Sequence, residues 1–169
     1  MPGWRSVAVG AERFDARLPV PFAVIGIRTS GGRVAEIVYL PRSTPALAPR
    51  NEPAAAACRQ IERYLADPHF AFDLPLALDG TPFRRAVWRE IARIPCGRTR
   101  TYGAIADRLH SSPRAVGGAC GDNPVPLVVP CHRVVARDGL GGFMHRDGGF
   151  ALSVKRWLLA HEGIVPVRA

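Results

Sequence analysis

The apolar residues change period once along this chain, and the change divides it. Between residues 22 and 40, FAVIGIRT and RVAEIVYLP alternate on either side of SGG, the period of two that a half-buried β-hairpin requires. From residue 81 the period becomes helical. TPFRRAVWREIARIP carries Phe83, Val87, Ile91 and Ile94 as one stripe, with Thr81 to cap, Pro82 at the first helical position, and Pro95 and Gly97 to stop it. Strands first and helices afterwards predict an α/β fold of the α+β kind, in one domain or in two. Its 169 residues suit either one ordinary domain or two small ones. Between the two patterns lie a proline-rich stretch and AAAACRQIERYLAD, in which Ala57, Ile61, Tyr64 and Leu65 share a helical face. FAFDLPLALDG, residues 70–80, then has extended character and ends in Asp79-Gly80, as a linker would. The expected division is residues 1–78, a small α/β unit, and residues 79–169, a largely helical one.

Within the second unit, Thr101 precedes a short helix with Ile105, Ala106 and Leu109 inward, SSP turns the chain, and RAVGGACG forms another helix. That is a helix-turn-helix. Gly117 and Gly118 inside the last helix each cost about 1 kcal/mol relative to alanine, so something must approach this backbone closely. A recognition helix led by Arg114 and inserted in a nucleic-acid groove would account for them; so would packing on a neighbouring helix. After the turn residues Asp122, Asn123 and Pro124, VPLVVP reads as a buried extended run delivering Cys131. RVVARDGLGGF continues as a hairpin turning near Asp138-Gly139, and ALSVKRWLLAHEG closes the unit as an amphipathic helix capped by Gly163, with Glu162 at its end.

Charge is uneven between the halves. Of 23 basic residues 22 are arginine, Lys155 being the lone lysine, and residues 79–169 hold fourteen basic against seven acidic residues. This net of +7 suits a polyanion as well as it suits a solvated surface, so the motifs must decide. The four cysteines, Cys58, Cys96, Cys120 and Cys131, form no CxxC pair and have no histidine at metal-binding spacing, so reduced thiols and no metal site are expected. No apolar run is long enough to span a bilayer, and MPGWRSVAVGAERFDARLP has no continuous apolar core of the secretory kind. A soluble, cytoplasmic protein without a membrane partner is expected.

NPVPLVVPCHRVV, preceded by RAVGGACG and followed by KRWLLAHEG, resembles the O6-alkylguanine-DNA alkyltransferases, also called methylated-DNA-protein-cysteine methyltransferases, over roughly residues 80 to 165. The resemblance implies an RNase H-like first domain and a winged helix-turn-helix-like second domain that carries the reactive cysteine. It implies repair by direct reversal, in which the alkyl group on guanine O6, and by extension thymine O4, moves once and for good to Cys131 without a cofactor. Thiolate is the side-chain nucleophile suited to displacement at a saturated carbon, which calls for a lowered thiol pKa. His132 would accept the proton through a bridging water, Glu162 would orient the imidazole, and Asn123 would hold the turn beside the thiol. Because O6 of a paired guanine lies inside the duplex, the nucleotide must flip. By the same resemblance Arg114 fills the gap and Tyr102 crowds the phosphate and donates to the base. Val134 would offer its carbonyl to the base amino group, and the helix carrying Arg114 would enter the minor groove. The implied partner is duplex DNA carrying O6-alkylguanine, bound by a monomer that is nucleoid-associated when on DNA.

The sequence departs from the family pattern in three respects. The stretch between Tyr102 and Arg114 is about two residues short, Phe143 and Met144 stand where tyrosine and a small residue are usual, and MHRDG lengthens the loop that follows. Glycines at 141, 142, 148 and 149 bracket that loop, which is expected to be a mobile flap, with Phe143 and Met144 shaping the alkyl pocket and Arg146 reaching for phosphate. Two other classes compete: a lesion-binding relative that does not transfer, which would lack the reactive cysteine, and a Cys-His hydrolase, which would need an oxyanion hole and no DNA affinity.

Overall fold

A computed structural model describes residues 13–146 and 148–164. Most of the stretch weighed as a signal segment, and Asp147 of the loop, lie outside the described residues. The chain divides into two compact units, one running to Ala66 and including Ala71–Ala77, the other taking Asp67–Phe70 and continuing from Leu78. The fold is mixed α/β, with a small antiparallel sheet in the first unit and helices in both.

In the first unit, β1 (Ala16–Val20), β2 (Ala23–Ser30) and β3 (Arg33–Leu40) form an antiparallel sheet in that order. The hairpin between β2 and β3 turns on Gly31 and Gly32, both at positive φ (57° and 80°), the geometry that matches strand twist. β1 is the strand the alternation did not predict, because ARLPV contains Pro19; on an edge strand the missing N–H is tolerated. Helix α1 (Glu52–Ala66) starts where the Asn51 side chain accepts from the Ala54 N–H at 2.9 Å, and it buries Ala54, Ala57, Cys58, Ile61 and Tyr64.

The second unit opens with α2 (Pro82–Ala92), whose Thr81 hydroxyl accepts from the Arg84 N–H at 3.2 Å. After the two-residue strand β4 (Arg100–Thr101) come α3 (Tyr102–Leu109), capped by Thr101, and α4 (Pro113–Gly121), capped by Ser112. His110, left-handed at φ 52°, ends α3 and makes the turn between them. The Trp88 indole donates to the Ala119 carbonyl at 2.9 Å and ties α4 to α2. A 3-10 turn (Cys131–Arg133), strand β5 (Val134–Val135) and α5 (Gly149–His161) complete the unit.

Two sequence expectations are corrected here. VPLVVP is not extended: Val129 N–H donates to the Val125 carbonyl at 2.9 Å and Leu127 sits at φ 78°, so the apolar run folds into a turn. An unbroken apolar run has no period to separate strand from buried turn. RVVARDGL is not a two-stranded hairpin either. Ala136 and Gly139 share one bridge, and β5 pairs in parallel with β4, Arg100 opposite Val134 and Thr101 opposite Val135.

The positive charge of this unit is also less free than its net suggests. Glu90, buried on α2, holds Arg108 at 2.9 Å, Arg93 at 3.1 Å and Arg100 at 3.8 Å, and Asp122 holds Arg84 at 2.9 Å.

Candidate active site

Asn123 organises the turn that presents Cys131. Its amide donates to the Val129 carbonyl at 2.8 Å, and its side-chain oxygen accepts from the Val125 N–H at 3.0 Å. The 3-10 turn sets neighbouring side chains about a third of a revolution apart, so Cys131 and His132 do not alternate as in a strand. Cys131 lines a cavity of about 430 Å³ together with Tyr102, Arg114, Gly117, Cys120 and Phe143. His132 is directed elsewhere, fully buried, its Nε2 at 2.7 Å from Glu162 Oε2.

Glu162 also accepts from Arg133, Nε to Oε1 at 2.8 Å and Nη2 to Oε2 at 3.0 Å, while Arg133 Nη1 donates to the Ile94 carbonyl at 2.6 Å. A forked guanidinium contact of this kind holds a carboxylate ionised and acceptor-only. The His132 proton therefore resides on Nε2, leaving the Nδ1 lone pair available. Nδ1 is buried without a hydrogen-bond partner among the described residues. Burial is the main influence on the imidazole and lowers its pKa, so it stays neutral, with Nδ1 unprotonated.

The thiol departs from expectation. Burial pushes Cys131 up to about 11, against the Asn123 hydrogen bond and the Lys155 charge that pull it down. Cys131 is thus a protonated thiol at rest and needs a base at the moment of attack, rather than a standing thiolate. Cys120, in the same cavity, is also raised, by burial and then by Cys131.

Lys155 was not anticipated. On α5 it is completely buried, and its ammonium donates to the carbonyls of Leu140 at 2.7 Å, Val134 at 2.8 Å and Gly142 at 2.8 Å, with the Tyr102 and Phe143 rings each 5.8 Å away. Burial lowers its pKa to about 8. The signal was present in the sequence: one lysine among 22 arginines, on the helix face that also buries Leu152, Leu158 and Leu159.

Of the other anticipated residues, Tyr102, Arg114, Phe143 and Met144 all line the cavity with Cys131, so the short spacing from Tyr102 to Arg114 does not separate them. The Tyr102 hydroxyl donates to the Gly142 carbonyl at 3.1 Å. Val134 is fully buried outside the cavity lining, its carbonyl held by Lys155. Among the described residues a Cβ on Gly118 would meet nothing within 4 Å and one on Gly117 only the edge of Tyr102 at 4.0 Å, so packing among them does not demand these glycines. Residues 143–146 form a closed turn, with Phe143 N–H to Arg146 O at 2.8 Å and Arg146 N–H to Phe143 O at 2.9 Å.

The second unit thus joins a helix-turn-helix to a buried cysteine that is followed in sequence by a histidine held on a carboxylate. Residues 82–164 match the family model for the 6-O-methylguanine DNA methyltransferase DNA-binding domain. A methylated-DNA–protein-cysteine methyltransferase of Shigella flexneri is 48% identical over 94 residues, 53% of this chain and 52% of that protein. One from Archaeoglobus fulgidus is 41% identical over 107 residues, 63% of this chain and 73% of that protein. The crystal structure of Mycobacterium tuberculosis OGT in complex with DNA superposes with a TM-score of 0.73 at 32% identity, covering 89% of this chain and 93% of that one. The chain belongs to the methylated-DNA–protein-cysteine methyltransferase family. Its match to the Shigella protein spans about half of that relative's length.

Proposed function

We propose that this chain repairs DNA by direct reversal, moving the alkyl group from guanine O6, and also from thymine O4, to Cys131, once per molecule and without a cofactor. The observation that carries this reading is Cys131 lining a cavity whose wall includes Arg114 and Gly117 of α4, backed by the buried His132–Glu162–Arg133 chain. In the reaction the Cys131 sulfur forms a bond to the alkyl carbon as the carbon–O6 bond breaks, its electron pair passing to O6. The thiol proton passes to His132 Nδ1 through one water, and the departing guanine anion is stabilised by the Tyr102 hydroxyl, which releases Gly142 to reach it. The Val134 carbonyl keeps a second lone pair for the base amino group. α4 enters the minor groove, Arg114 takes the place of the flipped nucleotide, and the protein acts as a cytoplasmic monomer on duplex DNA. The competing lesion-binding reading requires a chain without the reactive cysteine, and Cys131 is present.

The test is restoration of guanine in a duplex holding one O6-methylguanine, with one lesion lost per protein; turnover beyond one, or repair that survives Cys131→Ala, contradicts the reading. Arg114→Ala separates flipping from chemistry. Flipping costs a few kcal/mol, so this variant is expected to slow duplex repair by about tenfold or more while leaving transfer from the free methylated base within about twofold. Equal losses on both substrates would reduce Arg114 to a general contact.

A further inference from the structure

The turn at residues 143–146 is fastened to α4 by a chain of contacts that the transfer chemistry does not use. Met144 (φ 53°) and His145 (φ 63°) occupy its two corners, left-handed positions that non-glycine residues adopt only when neighbours hold them there. His145 supplies the hold. Its Nε2 lies 2.9 Å from Asp122 Oδ1, and Asp122, the residue that ends α4, is itself fixed through Oδ2 by Arg84 of α2 at 2.9 Å. The seat is shaped for the ring: a Cβ on Gly121 would overlap the His145 imidazole, so only glycine there lets the ring dock. Gly121 and His145 both line the Cys131 cavity, one from the α4 wall and one from the loop wall.

We propose that His145 is a specificity latch: seated on Gly121 and bonded to Asp122, it ties the 143–146 turn across the alkyl pocket and restricts groups bulkier than methyl. This inference rests on the alkyl-transfer reading above. The latch is weak by construction, since the His145 and Asp122 side chains are 55% and 35% exposed. A solvated pair of this kind holds a loop closed by a factor of about five at most, so the loop can open for a large group but does so against a bias. Met144, beside the cavity, then has the unbranched flexibility to repack around whatever enters.

The decisive variants leave the His145 ring in place, so that a gain cannot be ascribed to deleted bulk. Asp122→Ala removes the hydrogen-bond partner, and Gly121→Ala unseats the ring. Single-turnover transfer is measured for O6-methylguanine and O6-benzylguanine in the same duplex, beside urea unfolding and affinity for undamaged DNA. In both variants the benzyl-to-methyl rate ratio is expected to rise by about fivefold, and in Asp122→Ala, which lies outside the cavity lining, the methyl rate and DNA affinity are expected to stay within about twofold of wild type. Amide exchange at Phe143 and Arg146 is expected to accelerate in Asp122→Ala by a similar factor, about fivefold, a readout that needs no activity. An unchanged or lower ratio in both variants, with both folded, overturns the latch. So does unchanged exchange at Phe143 and Arg146. A wild-type protein that transfers neither group overturns the alkyl-transfer reading instead, and the exchange measurement still decides whether the latch exists.

Discussion

Glu162→Ala is expected to slow methyl transfer by about 10²–10⁴-fold, the range attached to a positioned general base and its orienting carboxylate. The same change is expected to destabilise the second unit by about 3–5 kcal/mol, because it leaves a buried charge network without its anion. Both losses follow from one carboxylate that accepts from His132 and twice from Arg133. Without it, the Nε2 tautomer of His132 is no longer favoured, and the Nδ1 lone pair that takes the thiol proton is lost from much of the population. Duplex affinity is expected to fall far less than the transfer rate, since neither residue lines the cavity. Single-turnover kinetics, urea unfolding and a binding titration on one preparation measure all three. Equal losses in binding and transfer would move Glu162 from the chemistry to the scaffold.

Lys155→Met is expected to slow transfer by about 10–100-fold, as misplacement of a pocket wall by about an ångström does. The variant loses the hub that gathers the carbonyls of Val134, Leu140 and Gly142, and Cys131 loses the cation that draws its pKa down. Stability has a signature of its own. The lysine pKa is about 8 folded against 10.5 ordinarily, so between those values the unfolded chain binds more protons than the folded one. Wild type therefore gains on the variant as pH rises from 8 to 10.5, by about 2–3 kcal/mol. At neutral pH the desolvation of the ammonium offsets its hydrogen bonds, and the difference is small. Denaturant midpoints for both proteins from pH 7 to 10.5 give the curve. A flat difference, or transfer within twofold of wild type, would show that Lys155 fills space only.

Much of this was legible in the chain. Apolar stripes, turn residues and the Thr81 cap predicted α2, α3, α4 and α5, and the structure adds Thr101 and Ser112 as caps that accept a first-turn N–H as Thr81 does. What failed to read was non-local. β4 and β5 are two residues each and exist only because residues 34 apart in sequence pair, which no local period reports. VPLVVP misled because its turn is held by the Asn123 side chain rather than by turn residues of its own. At the site, CHR supplied the nucleophile and the base, but a motif says nothing of desolvation. The raised pKa of Cys131 and the burial of Lys155 come from surroundings assembled in three dimensions.

The central claim is that one of two cysteines in one cavity accepts one alkyl group. It is tested most directly by incubating the full chain with excess duplex carrying a single O6-methylguanine, followed by intact mass and peptide mapping. The account predicts a gain of one methyl group per molecule, on Cys131, with Cys120 and every other thiol unmodified. Methyl on Cys120, more than one methyl per chain, or repaired DNA beside an unmodified protein would contradict it.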